Sequence, residues 1–93
     1  MRDYELVMVV RPDAADPEAA VARYQQFILE RGGEVRQVDR WGRRKLAYPI
    51  HRHLEGEYVV TQFRLDPNRV RELEDSLRLS EDVIRHLVVK LEE

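Results

Sequence analysis

Residues 16–33 read D-P-E-A-A-V-A-R-Y-Q-Q-F-I-L-E-R-G-G, and they contain a complete signal for one helix. Asp16 is a good N-cap because its carboxylate can accept a hydrogen bond from a backbone N–H in the first turn, and Pro17 suits the first helical position. The apolar side chains that follow recur at helical spacing until two glycines end the helix. The same opening returns at Asp66-Pro67, so the sequence predicts a second helix that begins in the same way.

Extended segments lie on both sides of each predicted helix. They are rich in β-branched and aromatic residues, and turn residues bound them. The longest has a glycine after Trp41, and a glycine inside a strand indicates a bulge or bend. The turn before the third strand is placed at residues 51–56. The predicted strands span residues 4–10, 34–50, 57–65 and 83–91.

The order of these elements is strand–helix–strand, twice in succession. This order predicts an α+β fold of the ferredoxin-like, split βαβ type (β-α-β-β-α-β). In it, a four-stranded antiparallel sheet with strand order 4-1-3-2 carries two helices on one face. Each helix has one apolar stripe, which the sheet must cover. The 93 residues are predicted to form a single domain, residues 1–93.

Composition excludes several classes of function. The chain has no cysteine, so disulfides, thiolate metal sites and cysteine nucleophiles are absent. No apolar run approaches the ~20 residues of a membrane helix, and the N-terminus lacks the features of a signal peptide. We therefore expect a cytoplasmic protein without membrane contact.

Signals for catalysis are also missing. The first strand is followed by R-P-D-A-A-D-P, which is not a glycine-rich phosphate loop. His51, His53 and Glu55 alternate and could meet a metal, but they lie in a predicted turn and no further ligand is evident. We expect no enzyme activity, no metal, no cofactor and no small-molecule substrate.

Positive charge is concentrated in residues 41–53, W-G-R-R-K-L-A-Y-P-I-H-R-H, although the net charge of the chain is −2. The predicted topology brings the end of strand 1, the turn between strands 2 and 3 and the end of helix 2 to one edge of the sheet. We call the basic side chains at or leading to this edge the basic rim, and predict that they bind RNA: Arg11, Arg43, Arg44, Lys45, Arg52 and Arg78. His51 and His53 join the same edge.

The acids are expected mostly elsewhere, on the helices and at the C-terminus, which would leave the basic rim open to phosphate. The alternative is a solvated charge run whose arginines protect an edge strand from pairing with other chains.

The sheet face away from the helices, here called the free face, is predicted to bind a protein. Strand periodicity places one set of side chains under the helices and leaves the other bare. Strand 4 is undecided, because either His86 and Val88 or Leu87, Val89 and Leu91 could face the helices. An RNA-reading sheet would show central aromatic side chains, and only Tyr58 qualifies. The predicted partner-binding residues are Val7, Val9, Tyr58 and Val60.

Three segments carry a family resemblance: G-R-R-K-L-A-Y-P-I at residues 42–50, M-R-D-Y-E at the start, and V-I-R-H-L-V-V-K at residues 83–90. Together they resemble the bacterial small-subunit (30S) ribosomal protein S-six family. The resemblance implies the same fold and a structural, non-catalytic role in the small ribosomal subunit. It also implies a heterodimer with the eighteenth small-subunit ribosomal protein, and joint binding to the central domain of the small-subunit (16S-type) rRNA.

A second class of function remains open at this point. Many ferredoxin-like domains self-associate sheet to sheet or sense a small molecule between domains. An apolar free face would serve that purpose equally well. The two readings differ in whether a second copy or a different protein covers the free face.

Overall fold

The computed structural model describes residues 1–50 and 52–91. In chain order the elements are β1 (Arg2–Val10), α1 (Pro17–Glu30), β2 (Glu34–Ile50), β3 (His53–Leu65), a short 3-10 helix (Pro67–Arg69), α2 (Val70–Leu79) and β4 (Val83–Lys90). The strands form one sheet in the order β2-β3-β1-β4, and every neighbouring pair is antiparallel. The predicted ferredoxin-like fold is confirmed.

An aspartate caps α1 and another caps the 3-10 turn before α2, but the two caps differ. The carboxylate of Asp16 accepts a hydrogen bond from the backbone N–H of Ala19 at 3.3 Å, three residues on. The carboxylate of Asp66 accepts from Asn68, two residues on, at 2.9 Å. This shorter cap opens the 3-10 turn, so α2 begins at Val70 and not directly after Asp66 as predicted.

The core lies between the helices and the helix-facing side of the sheet. The side chains predicted on that side of β1 and β3 are buried, with Phe63 1% exposed and stacked on Tyr4 at a ring-centroid distance of 5.5 Å. Leu73 and Leu77 of α2 are 0% exposed against the same layer. The helix-facing set is Tyr4, Leu6, Met8, Val10, Val59, Thr61, Phe63 and Leu65, as predicted.

The register resolves the ambiguity in β4. His86 pairs with Met8, and Val88 pairs with Leu6, so both point toward the helices. Leu87 pairs with Val7 on the free face. Two residues further along the strand, Val89 lies on the free face as well.

The pairing of β2 with β3 confirms the predicted bulge and corrects the turn. The register shifts between Arg40 and Gly42, and Gly42 has a φ of 83°. At the far end Ile50 pairs with His53, so β3 begins before the predicted residue 57. The chain reverses this tightly because Arg52 adopts a left-handed φ of 70°. His51 lies outside the described residues.

Residues 44–50 and 52–56 form a two-stranded extension that we call the arm. The pairing of β1 with β3 ends at Val10 and Glu57, so the arm projects beyond β1. The arm bends back, because Arg85 on β4 donates a hydrogen bond to the hydroxyl of Tyr48 at 3.2 Å. Gly56 sits so close to Val9 that a Cβ on it would overlap the Cγ1 of Val9. The arm thus lies across the ends of β1 and β4.

Among the described residues, no helix has the length and apolar character required to cross a membrane.

Candidate functional site

The structure brings most of the predicted basic rim to one end of the sheet. Arg11 follows β1, Arg78 lies near the end of α2, and His53 starts β3. All three line one open cavity of about 720 Å³, together with His86 of β4. Arg52 is exposed in the turn of the arm. The basic residues of β2 are also exposed, and they lead toward this end: Arg43, Arg44 and Lys45.

Acidic side chains also lie at this end, where they contact several members of the basic rim. Arg11 contacts Asp82 at 2.9 Å and Asp13 at 3.3 Å. The hydrogen bond that Arg11 donates to Asp82 is the largest cause of the raised pKa of Arg11. Arg78 contacts Asp75 at 2.7 Å. These contacts arise because the segments that meet at this edge carry acids as well as bases.

Strand pairing also gives Arg43 acidic neighbours. Arg43 lies opposite Glu57, and its guanidinium is 3.8 Å from Glu57 and 3.9 Å from Glu55. It also donates a hydrogen bond to the carbonyl of Pro12 at 3.0 Å. By contrast, Arg44, Lys45 and Arg52 form no ion pair with another residue of the described ranges. These three are therefore the members of the basic rim best placed to meet an anion.

His86 faces the cavity from the floor of the sheet. Its pKa is lowered, first by burial and then by the charge of Arg78, while Glu74 acts in the opposite direction. The side chain therefore favours the neutral form, and we assign it a packing role beside the basic rim. In residues 1–50 and 52–91, no three His, Cys, Asp or Glu side chains are grouped to hold a metal ion. The possible ligand His51 lies outside these ranges.

The free face is not bare in the way that periodicity predicts. Val9 is only 2% exposed and Val60 only 4% exposed, while Val7 and Tyr58 are half-buried. The two valines lie on the central strands, and Val9 also lies close to Gly56 of the arm. The exposed apolar side chains of this face stand nearer its edges: Trp41 at 50%, Leu87 at 56% and Val89 at 41%.

Aromatic side chains reach the free face from two places that periodicity does not reveal. The bulge in β2 turns Trp41 onto Tyr58, with ring centroids 6.3 Å apart and planes 11° apart. The arm carries Tyr48 to Arg85, whose guanidinium lies 5.9 Å from the ring centroid. Tyr58 is the aromatic side chain at a central position of this face, and Trp41 and Tyr48 add aromatic rings from the edge strand β2. The glycine after Trp41 was the available signal, because a bulge changes which side chains share a face.

Comparison with known proteins identifies the family. The family model for Ribosomal protein S6 matches residues 3–90. The chain belongs to the ribosomal protein S6 family. Two small ribosomal subunit proteins bS6 are similar over almost their full lengths. That of Moorella thermoacetica is 44% identical, covering 100% of this chain and 97% of the relative. That of Caldanaerobacter subterraneus subsp. tengcongensis is 41% identical, covering 100% of both.

Solved structures agree with the S6 assignment. The crystal structure of 30S ribosomal protein S6 from Thermotoga maritima superposes with a TM-score of 0.91 at 34% identity, covering 97% of this chain and 87% of that one. The C-terminal domain of the MgtC protein from Mycobacterium tuberculosis has a TM-score of 0.57 at 13% identity, and this likeness extends to the fold alone. Ribosomal protein S6 is a structural, non-enzymatic protein, so this S6-family chain is not an enzyme.

Proposed function

We propose that this chain binds the central domain of the small-subunit rRNA together with the eighteenth small-subunit ribosomal protein. As a member of the ribosomal protein S6 family it is a structural constituent of the small ribosomal subunit, and it works in the cytoplasm as part of the ribosome. The family match over residues 3–90 is the observation that carries the proposal.

The basic rim is the proposed RNA-binding surface. Arg44, Lys45 and Arg52 extend along the arm without ion pairs to other described residues. Arg11, Arg43 and Arg78 each contact acidic side chains of their own. The net charge of −2 leaves little long-range attraction for a polyanion. The chain alone should therefore bind rRNA weakly, and a partner that adds contacts should strengthen the binding.

The free face is the proposed surface for the protein partner. Val9 and Val60 form its buried floor, and Val7 and Tyr58 are half-buried beside them. Leu87 and Val89, which periodicity left undecided, add exposed apolar area on β4. Contiguous apolar area on a small monomer is typical of a protein contact.

Incorporation into ribosomes tests the role, and a surface variant tests the partner face. The tagged chain should comigrate with small ribosomal subunits. Leu87→Lys should weaken capture of the partner protein, because its charge would be buried unpaired in an apolar contact. Leu79→Lys is the matched control, because Leu79 is 83% exposed at the end of α2 and away from the free face.

Equal capture by the two lysine variants would contradict the assignment of the free face. Failure of the native chain to comigrate with small subunits would contradict the role itself. Sedimentation of the pure chain separates the proposal from the self-associating alternative. A stable homodimer that Leu87→Lys dissociates would favour a second copy as the occupant of the free face.

A further inference from the structure

Trp41 stands apart from the rest of the free face. It is the only tryptophan in the chain, and half of its surface is exposed although its ring packs on Tyr58. The bulge at Gly42 holds it there. The exposed half of the ring is therefore accessible to a ligand.

Positive charge accompanies the exposed ring. The guanidinium of Arg44 lies 5.3 Å from the ring centroid of Trp41. Arg44 forms no ion pair with the described residues, and Lys45 follows it along the arm. An exposed aromatic ring beside unpaired basic groups is the combination with which proteins hold single-stranded nucleic acid, since bases stack on rings and phosphates meet the cations.

We infer that Trp41, supported by Tyr58 and flanked by Arg44, stacks an unpaired base of RNA. The inference rests on the proposed function and refines it, because it names an unpaired nucleotide as the feature of the RNA that this corner of the sheet recognises. Tyr58 fixes the plane of the tryptophan ring from the protein side. Arg44 supplies the contact to the adjoining phosphate.

A purely structural role does not account for the geometry of Trp41. A side chain that only covers a strand bend would bury most of its apolar area, whereas this ring is 50% exposed. Leu87 and Val89, on β4 at the opposite edge of the free face, are aliphatic and have little stacking capacity. The aromatic corner at β2 is thus chemically distinct from the aliphatic part of the free face on β1 and β4.

The fluorescence of the single tryptophan gives a direct test. The full chain is titrated at low ionic strength with a short single-stranded oligoadenylate, and with a duplex of the same length as control. Stacking of a base on Trp41 should quench its emission with the single strand and not with the duplex. Absence of quenching by the single strand at low salt would overturn the inference.

Affinity measurements on variants separate stacking from charge. With fluorescently labelled oligoadenylate, Trp41→Leu should bind roughly tenfold more weakly, while Trp41→Phe should keep most of the affinity. The salt dependence of binding should be the same in Trp41→Leu as in the native chain, because it reports phosphate contacts. Arg44→Gln should reduce that dependence, and Arg71→Gln on α2 is its charge-matched control.

Two results would count against the inference even if the chain enters ribosomes. Equal RNA affinity of Trp41→Leu and the native chain would exclude stacking. Unchanged RNA affinity with weakened capture of the protein partner would assign Trp41 to the protein interface. Comigration of the native chain with small subunits is measured separately, so the proposed role and the stacking site can fail independently.

Discussion

Adjacent side chains on β3 point to opposite faces of the sheet, and the burial of each face decides what a substitution costs. Phe63 is 1% exposed beneath the helices, and Val60 is 4% exposed on the free face. Side chains on both faces of the central strands are therefore part of the folded structure. The exposed apolar side chains Trp41, Leu87 and Val89 lie on the flanking strands.

Val60→Lys should destabilise the chain by about 1–3 kcal/mol, because it places an ammonium group at a buried apolar position. Phe63→Ala should cost about 3–5 kcal/mol through the cavity that it leaves. Leu87→Lys should change the free energy of unfolding by about 0.5 kcal/mol or less, since Leu87 is 56% exposed. Denaturant unfolding of the three variants checks the order. A Val60→Lys variant as stable as Leu87→Lys would show that the free face is open at its centre.

Gly56→Ala should destabilise the chain by about 1–3 kcal/mol, because the added methyl group would overlap Val9 where the arm crosses β1. Val9→Ala removes the overlapping atom and should restore part of that stability in the double variant. Gly32→Ala is the control: its φ of 79° makes alanine unfavourable, but no atom lies within 4 Å of the added Cβ. A rescue of Gly32→Ala by Val9→Ala, or no rescue of Gly56→Ala, would contradict the close crossing.

At the scale of elements, β4 joins the core to the basic rim. Its helix-facing side carries Val88 against the core and His86 against the cavity, while its other side presents Leu87. Charged and titratable groups face the cavity from every neighbouring element. They are Arg11 after β1, His53 in β3, Arg78 in α2 and Glu81 before β4.

Because of His86, the free energy of unfolding should fall as the pH drops through about 6.5, the ordinary pKa of histidine. Burial is the largest cause of the lowered pKa of His86 in the folded chain. The unfolded chain therefore binds the proton at a higher pH, and this binding stabilises the unfolded state relative to the folded state. His86→Gln should therefore reduce the loss of stability between about pH 7.5 and pH 5.5. Denaturant unfolding at both pH values measures this difference, and His53→Gln is the control. An equal loss of stability in native chain and His86→Gln would contradict it.

The ion pairs of Glu72 and Glu18 affect stability at lower pH, so they do not interfere with the measurement on His86. The hydrogen bond from Arg31 is the largest cause of the lowered pKa of Glu72, and Arg40 does the same for Glu18. A carboxylate with a lowered folded pKa contributes stability above its unfolded pKa. That contribution disappears only as the pH falls through the folded value.

At the scale of the whole molecule, charge is distributed so that attraction to RNA is local. The chain carries 16 basic and 18 acidic side chains, and the acids approach several members of the basic rim. Within the basic rim, the residues that form no ion pair with described neighbours are Arg44, Lys45 and Arg52, and they lie along the arm. Binding to rRNA should accordingly depend on a few phosphate contacts.

Replacing Arg44 and Lys45 together by glutamine should make the plot of log affinity against log salt less steep. The magnitude of its slope should decrease by about 0.7–0.9 for each phosphate that the protein no longer neutralises. Replacing Arg23 and Arg71, exposed on α1 and α2, changes the net charge equally and should leave the slope unchanged. Filter binding of an rRNA central-domain fragment, with the protein partner present, measures both slopes. Equal slopes for the two double variants would place the RNA-binding surface elsewhere on the molecule.

Local sequence signals were sufficient for the architecture of this protein. The two Asp-Pro openings, the glycines after α1 and the alternation in β1 and β3 each act through neighbouring residues, and the structure confirms the elements and strand order that they predict. The helix-facing core followed from the same alternation, because a two-residue period places successive side chains on opposite faces. The segment L-A-Y-P-I pointed to the family.

Tertiary structure alone decided the surfaces. The bulge at Gly42 turned Trp41 onto Tyr58, and the arm carried Tyr48 to Arg85 and covered Val9. Strand pairing set Arg43 against Glu57. The periodicity of apolar residues in a segment indicates only which face of its own helix or strand a side chain occupies. What covers that face, and which charges meet there, depends on the packing of residues far apart in the chain.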